Sequence, residues 1–140
     1  MPWYFAAALS ALFAALVAIF GKVGLKSADP TLASSLRGIV MAIVLIVIVF
    51  AEGKWRQITW ESFGAREWFF ILLAGLAGAL SWLFYFLALK NGDVAKVSAI
   101  DRASILLVVA FAVLFLQETL TWKLALGSFF VAVGMMLMIF

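Results

Sequence analysis

The 140 residues are 68% hydrophobic and 12% charged, with a mean hydropathy of +1.23, where soluble domains run at about 45–50% and about 25%. A soluble chain of this length has no interior for so many apolar side chains, so lipid is their solvent, and the spans leave no room for a soluble domain. The net charge of +3 with no His, no Cys and no basic run excludes histidine proton switches, disulfides, thiol chemistry, the usual zinc sites and nucleic-acid binding.

Five apolar blocks follow one another. The first, Trp3 to Phe20, has no basic n-region and no clear cleavage site, so it reads as a retained helix rather than a signal peptide. Asp29-Pro30-Thr31 is a stop-and-restart signal, in which Asp caps and Pro fits the first turn of a new helix. The second span runs from about Thr31 to Ala51. It is rich in Ile and Val, yet in lipid every backbone bond must close internally, so helix wins over β propensity. Residues 52–66 form the sustained polar stretch. There Trp55 and Trp60 beside Lys54, Arg56 and Arg66 have the composition of an interfacial anchor. The third span covers residues 68–89 and ends in a turn at 90–93, where Gly92 is expected to supply a positive φ. The fourth covers about 94–116 and the fifth 122–140.

Five spans put the termini on opposite sides. Lys54, Arg56, Arg66 and Lys123 then lie on the N-terminal side, and Lys22, Lys26, Lys90 and Lys96 on the other, with Arg37 and Arg102 deeper. Four against four is almost no orientation signal, so the chain is expected to insert both ways up.

Ionisable groups inside a span cost about 2.5–3.5 kcal/mol at mid-bilayer by insertion scales, which makes them the strongest functional pointers. Arg37 lies roughly 9 Å inside the second span, and Asp101 and Arg102 about 10–12 Å inside the fourth. Both spans start from the same side, so Arg37 and Asp101 are expected at similar depth. A structural ion pair or a snorkelling Arg37 explains them as well as the polar wall of a substrate cavity does. Val97, Asp101 and Ser104 are spaced to line one face. Gly75 and Gly78 permit close helix approach, while Trp82 and Tyr85 offer aromatic faces to a cation or a ring, or simply pack. Ser10 is a weak hydrogen-bonding position. Glu118 reads as structural, capping or starting the last helix with Thr119 or Thr121 and pairing with Lys123. Gly127 and Gly134, two turns apart, favour a close contact between helices or between subunits. No nucleophile set, metal cluster or phosphate loop is present, so no enzyme, metal or cofactor is expected.

The stretch from Ser81 to Phe140 resembles the EamA domain of the drug/metabolite transporter superfamily. The resemblance is carried by Tyr85 with Ala88, Leu89 and Gly92, by Val97 with Asp101-Arg102-Ala103-Ser104, by the LFLQE ending at Glu118, and by Gly127 with Gly134. The front half fits through SALFAALVAIFGKVGL and Leu36-Arg37. The resemblance implies a secondary transporter or exporter of small molecules. Such proteins mostly look like two five-helix repeats of opposite orientation with the site between them, whereas this chain holds one. A homodimer, antiparallel in the membrane, is therefore implied, and the Gly127/Gly134 stripe is similar to the dimerising last helix of small multidrug-resistance exporters.

The expectation is thus an all-α membrane protein of five transmembrane helices forming one EamA-like repeat in the cell membrane, paired as a dimer and moving a small molecule by alternating access. Arg37, Asp101 and Arg102 would recognise the substrate, and Ser10, Trp82, Tyr85 and Ser104 would line its path. The alternative is a non-transporting membrane subunit or scaffold of a larger complex. The arginines lean toward an anionic or zwitterionic substrate and the aromatic pair toward a cationic or aromatic one, which leaves the substrate open.

Overall fold

The computed structural model describes residues 1–57 and 63–140, so Trp60 of the interfacial anchor lies outside the described residues. The described chain is helical and contains no strand. Its elements are α1 (Trp3–Gly24), α2 (Pro30–Ala51), a 3₁₀ turn (Lys54–Gln57), α3 (Ala65–Asn91), α4 (Val94–Asp101), α5 (Ser104–Phe115) and α6 (Trp122–Ile139). Among the described residues, five helical stretches are long and apolar enough to cross a membrane: α1, α2, α3, α4 taken with α5, and α6. This is an all-α membrane protein.

Local chemistry sets most of the helix ends. Asp29 caps α2, its carboxylate accepting from the backbone N–H of Thr31 at 2.9 Å and of Leu32 at 3.0 Å, with Pro30 at the first helical position. Gly53 closes the other end of α2 at φ +67°. Beyond it Trp55 folds back to stack on Phe50, centroids 5.8 Å apart, at the edge of the apolar segment. α3 starts at Ala65, ahead of the expected Trp68, because Glu67 in its first turn suits the positive end of the helix dipole. Its 27 residues extend to about 40 Å, longer than the roughly 30 Å hydrocarbon core.

Two turns differ from expectation. Gly92 does not take a positive φ; among the described residues that conformation belongs to Gly53 and to Gln117. α3 continues to Asn91 and Asp93 is extended, so α3 gives way to α4 without a left-handed residue. At the end of α5, Gln117 is left-handed at φ 57° and the Glu118 N–H returns to the Ala112 carbonyl at 3.2 Å, which gives a terminal carbonyl a partner. Thr121 rather than Thr119 caps α6, its hydroxyl accepting from the Leu124 N–H at 3.2 Å. The Glu118–Lys123 ion pair is not formed among the described residues, where the ion pair is the exposed Glu52–Lys54 contact.

The chain divides into two compact units, residues 21–90 and residues 1–20 with 91–140. The core of the first is Leu25, Phe86 and Leu89, each at most 4% exposed. Gly21 allows the close approach here, since a Cβ on it would lie 3.2 Å from the Phe86 ring and 3.6 Å from Leu89. Two lysines clasp this core. Lys22 Nζ donates to the Leu89 carbonyl at 2.7 Å, and Lys90 Nζ donates to the carbonyls of Leu25 at 2.6 Å and Ala28 at 2.9 Å. These carbonyls lie at or just past the C-terminal ends of α3 and α1. Helix carbonyls there lack intrahelical partners and the dipole is negative, so each ammonium meets both its acceptor and its countercharge. The clasp also carries α1 through Gly24, past the Phe20 where the apolar block ends.

In the second unit α6 packs against α4 and α5. Ala125, Ser128, Ala132, Met135 and Ile139, at three- and four-residue steps, form its partly covered face. Gly127 and Gly134 are exposed, with no atom within 4 Å of a Cβ built on either. Between α5 and α6 lies an open apolar groove of about 350 Å³ edged by Leu106, Val109, Val113, Leu120 and Ala125.

Lys90→Met is expected to lower unfolding stability in detergent by about 1–3 kcal/mol, through two lost charge-assisted bonds, while Lys26→Met leaves it unchanged. Gln117→Gly is expected to raise the same stability by about 0.5–1 kcal/mol, because glycine takes the left-handed conformation without steric cost. Thermal unfolding of the purified variants reads both.

Candidate functional site

The most developed polar constellation is in the first unit. Arg37 is half-buried on α2, about 10 Å along the helix from Pro30. On α3, Trp82, Tyr85 and Phe86 fall at i, i+3 and i+4 and so share a face. Their rings form one cluster: Trp82 meets Tyr85 at 5.5 Å and Phe86 at 6.0 Å, both edge-on, and Tyr85 lies 6.3 Å from Phe86. The Arg37 guanidinium carbon sits 3.4 Å from the Trp82 ring centroid and 5.7 Å from that of Phe86. At 3.4 Å it is in van der Waals contact with the indole. A cation–π contact of this kind contributes about 0.5–2 kcal/mol, more as water is removed.

Within this unit, and among the described residues, the guanidinium makes no hydrogen bond or ion pair. One turn earlier on the same face of α2, the Ser34 hydroxyl is buried and also lacks a partner. Ser35, by contrast, donates back to the Thr31 carbonyl at 2.9 Å. The Trp82 face that the sequence offers to an incoming cation or ring is therefore covered by the chain's own cation. Gly75 and Gly78, further along α3, have no neighbour within 4 Å of a built Cβ, so no close helix approach occurs there among the described residues.

The second unit places its polar groups at an interruption. Asp101 ends α4, Arg102 and Ala103 form a turn, and Ser104 opens α5. Three backbone bonds here span three residues rather than four: the Ala103 N–H to the Ile100 carbonyl at 2.9 Å, Ile105 to Arg102 at 3.0 Å, and Leu106 to Ala103 at 3.0 Å. This is 3₁₀ geometry, in which side chains three apart eclipse, so Asp101 and Ser104 line up along the axis while Arg102 points elsewhere. Asp101, Arg102 and Ser104 are exposed, Val97 is half-buried one turn before, and Ser10 on α1 is exposed. A mid-span 3₁₀ stretch, here carrying Asp101 and Arg102 of the three charges in the span, often marks a functional hinge or a sequence under strain.

Lys22 and Lys90, which enter the sequence analysis only in the balance of charge across the membrane, are the clasp residues it does not single out. The available signal was a lysine in the last turn of each helix, where free carbonyls await a donor.

The EamA-like transporter family model matches residues 1–140. A curated relative from Sinorhizobium sp, named "Uncharacterized transporter in cobO 3'region", is 44% identical over 136 residues, spanning 97% of this chain and 95% of its own length. No solved structure matches. With every residue inside the family match, and the resemblance first carried by Ser81–Phe140 extending over the whole length, the chain belongs to the EamA-like transporter family.

Proposed function

We propose that this protein is a secondary transporter that carries a small molecule across the cell membrane by alternating access, working as a dimer of two copies in opposite orientations. Arg37 on its aromatic bed carries the reading. A guanidinium about 10 Å inside an apolar span is expensive unless it serves a polar path through the membrane. Arg37, Trp82 and Tyr85 from one unit, and Ser10, Asp101, Arg102 and Ser104 from the other, are the groups that would meet solute as it passes. Among the described residues Asp101 is the acidic group furthest from the end of a span, and it is the one that would take up a proton during the cycle.

A second copy would complete a two-sided cavity, and the curated relative supports this reading, since the chain with these five spans covers 95% of that protein's own length. The exposed Gly127/Gly134 face of α6 lets another helix come close, and the balance of basic residues across the spans favours neither orientation.

Three measurements test this reading. Asp101→Asn is expected to lower solute flux in reconstituted vesicles by about tenfold or more, equivalent to one charge-assisted hydrogen bond, with the dimer intact; unchanged flux removes Asp101 from the cycle. Gly127→Leu with Gly134→Leu is expected to convert dimer to folded monomer on sizing in detergent. Cysteines placed at Lys26 and Arg56 are expected to be labelled from both faces of intact cells, and labelling from one face alone overturns the opposed arrangement.

A further inference from the structure

We infer that Arg37, held over the face of Trp82, binds an oxyanion, the carboxylate or phosphate group of a small organic anion, and that the aromatic cluster is a support for this guanidinium rather than a cage for a cation. The inference deepens the transport reading by naming a substrate class, and rests on that reading for its role in the cycle.

The Trp82 face decides between the two substrate classes. With the guanidinium carbon 3.4 Å from the ring centroid, that side of the indole has no room for a second cation. Stacking leaves the donors of arginine unused, because all five N–H groups lie in the guanidinium plane and point outward from its edges. No acceptor within the unit, among the described residues, meets them. A planar fork fixed on a ring and lacking acceptors is preorganised for bidentate binding of a carboxylate or phosphate. The buried, unpartnered Ser34 hydroxyl lies one turn away on the same helix face.

The surrounding charge agrees. The lysine clasp brings the start of α2 beside the end of α3, since Lys90 reaches the Ala28 carbonyl just ahead of the Asp29 cap. The Lys22 and Lys90 ammonium groups thus lie at the same end of the unit as Arg37. Within residues 21–90 the carboxylate at this end, Asp29, is engaged with the α2 backbone. Trp82 is nine residues before the end of α3, about 13 Å in, so the stacked guanidinium is drawn inward rather than extended to the headgroups.

The test titrates the full-length protein in neutral detergent with benzoate, inorganic phosphate and benzylammonium. Tryptophan fluorescence is the readout, with Trp82→Phe assigning the signal. A saturable response to benzoate or phosphate is expected, and none to benzylammonium. Arg37→Gln is expected to weaken anion binding about tenfold or more, and Arg37→Lys less, since it keeps the charge but loses the fork. Should Arg37→Gln fail to fold, Arg37→Lys decides, because wild-type affinity in that variant overturns the assignment. No saturable anion response from folded wild type overturns it too, as does benzylammonium binding that survives or strengthens in Arg37→Gln.

Repeating the benzoate titration in phosphatidylcholine and phosphatidylglycerol nanodiscs separates the sources of the anion. Competition by phosphatidylglycerol identifies a headgroup phosphate, and indifference to lipid identifies a free solute; both keep the oxyanion site. Flux in vesicles is read separately. Arg37-dependent benzoate binding without flux of any solute keeps the site and overturns transport, whereas flux with Arg37-independent anion binding does the reverse.

Discussion

A cation survives in a bilayer only where the protein replaces the water it has lost, and within residues 21–90 this replacement is made for three side chains. Lys22 and Lys90 exchange their hydration for backbone carbonyls at opposing helix ends, and Arg37 exchanges its own for the face of Trp82. The two solutions differ in what they leave over. The lysine donors are directed at carbonyls that would otherwise be orphans, so donor and acceptor settle each other. The arginine gains electrostatic attraction to the ring but keeps every hydrogen-bond donor in hand.

That difference separates structure from function within one unit. The small core of Leu25, Phe86 and Leu89 is too modest to hold three helical segments by packing alone, and in lipid there is little hydrophobic force to help. Gly21 admits the Phe86 ring, the lysines lock the ends of α1 and α3, and α2 starts from a capped aspartate beside them. The resulting rigidity matters at the ring cluster, because a stacked guanidinium is positioned only as well as the two helices that carry it. Phe86 serves both sides, buried against Gly21 and in edge-on contact with Trp82.

What could be read in the sequence tracks how local the chemistry is. Asp29-Pro30-Thr31 announced the start of α2 because a cap and a first-turn proline need only their neighbours. The five apolar stretches were legible because lipid permits a helix and little else. The ends of α1 and α3 were not, since their extension depends on Lys22 and Lys90 meeting carbonyls more than 60 residues away. Trp82 was legible as a seat for a cation, but not that the seat is taken by Arg37, forty-five positions earlier. Gly92 misled in the other direction: the glycine was present but the turn did not need it, while the left-handed place near Glu118 fell to Gln117, a residue type that gives no warning of it.

The tightened turn at Arg102–Ala103 affects how the second unit fits together. Two residues at 3₁₀ pitch lengthen a span by about 1 Å and advance its rotation by about 40° relative to unbroken α geometry. α5 therefore presents Leu106, Val109 and Val113 to α6 in a phase that an uninterrupted α4 could not have delivered. The interface with α6 is two offset seams rather than one ridge. The break that carries Asp101 therefore also fixes the phase at which α5, relative to α4, meets α6.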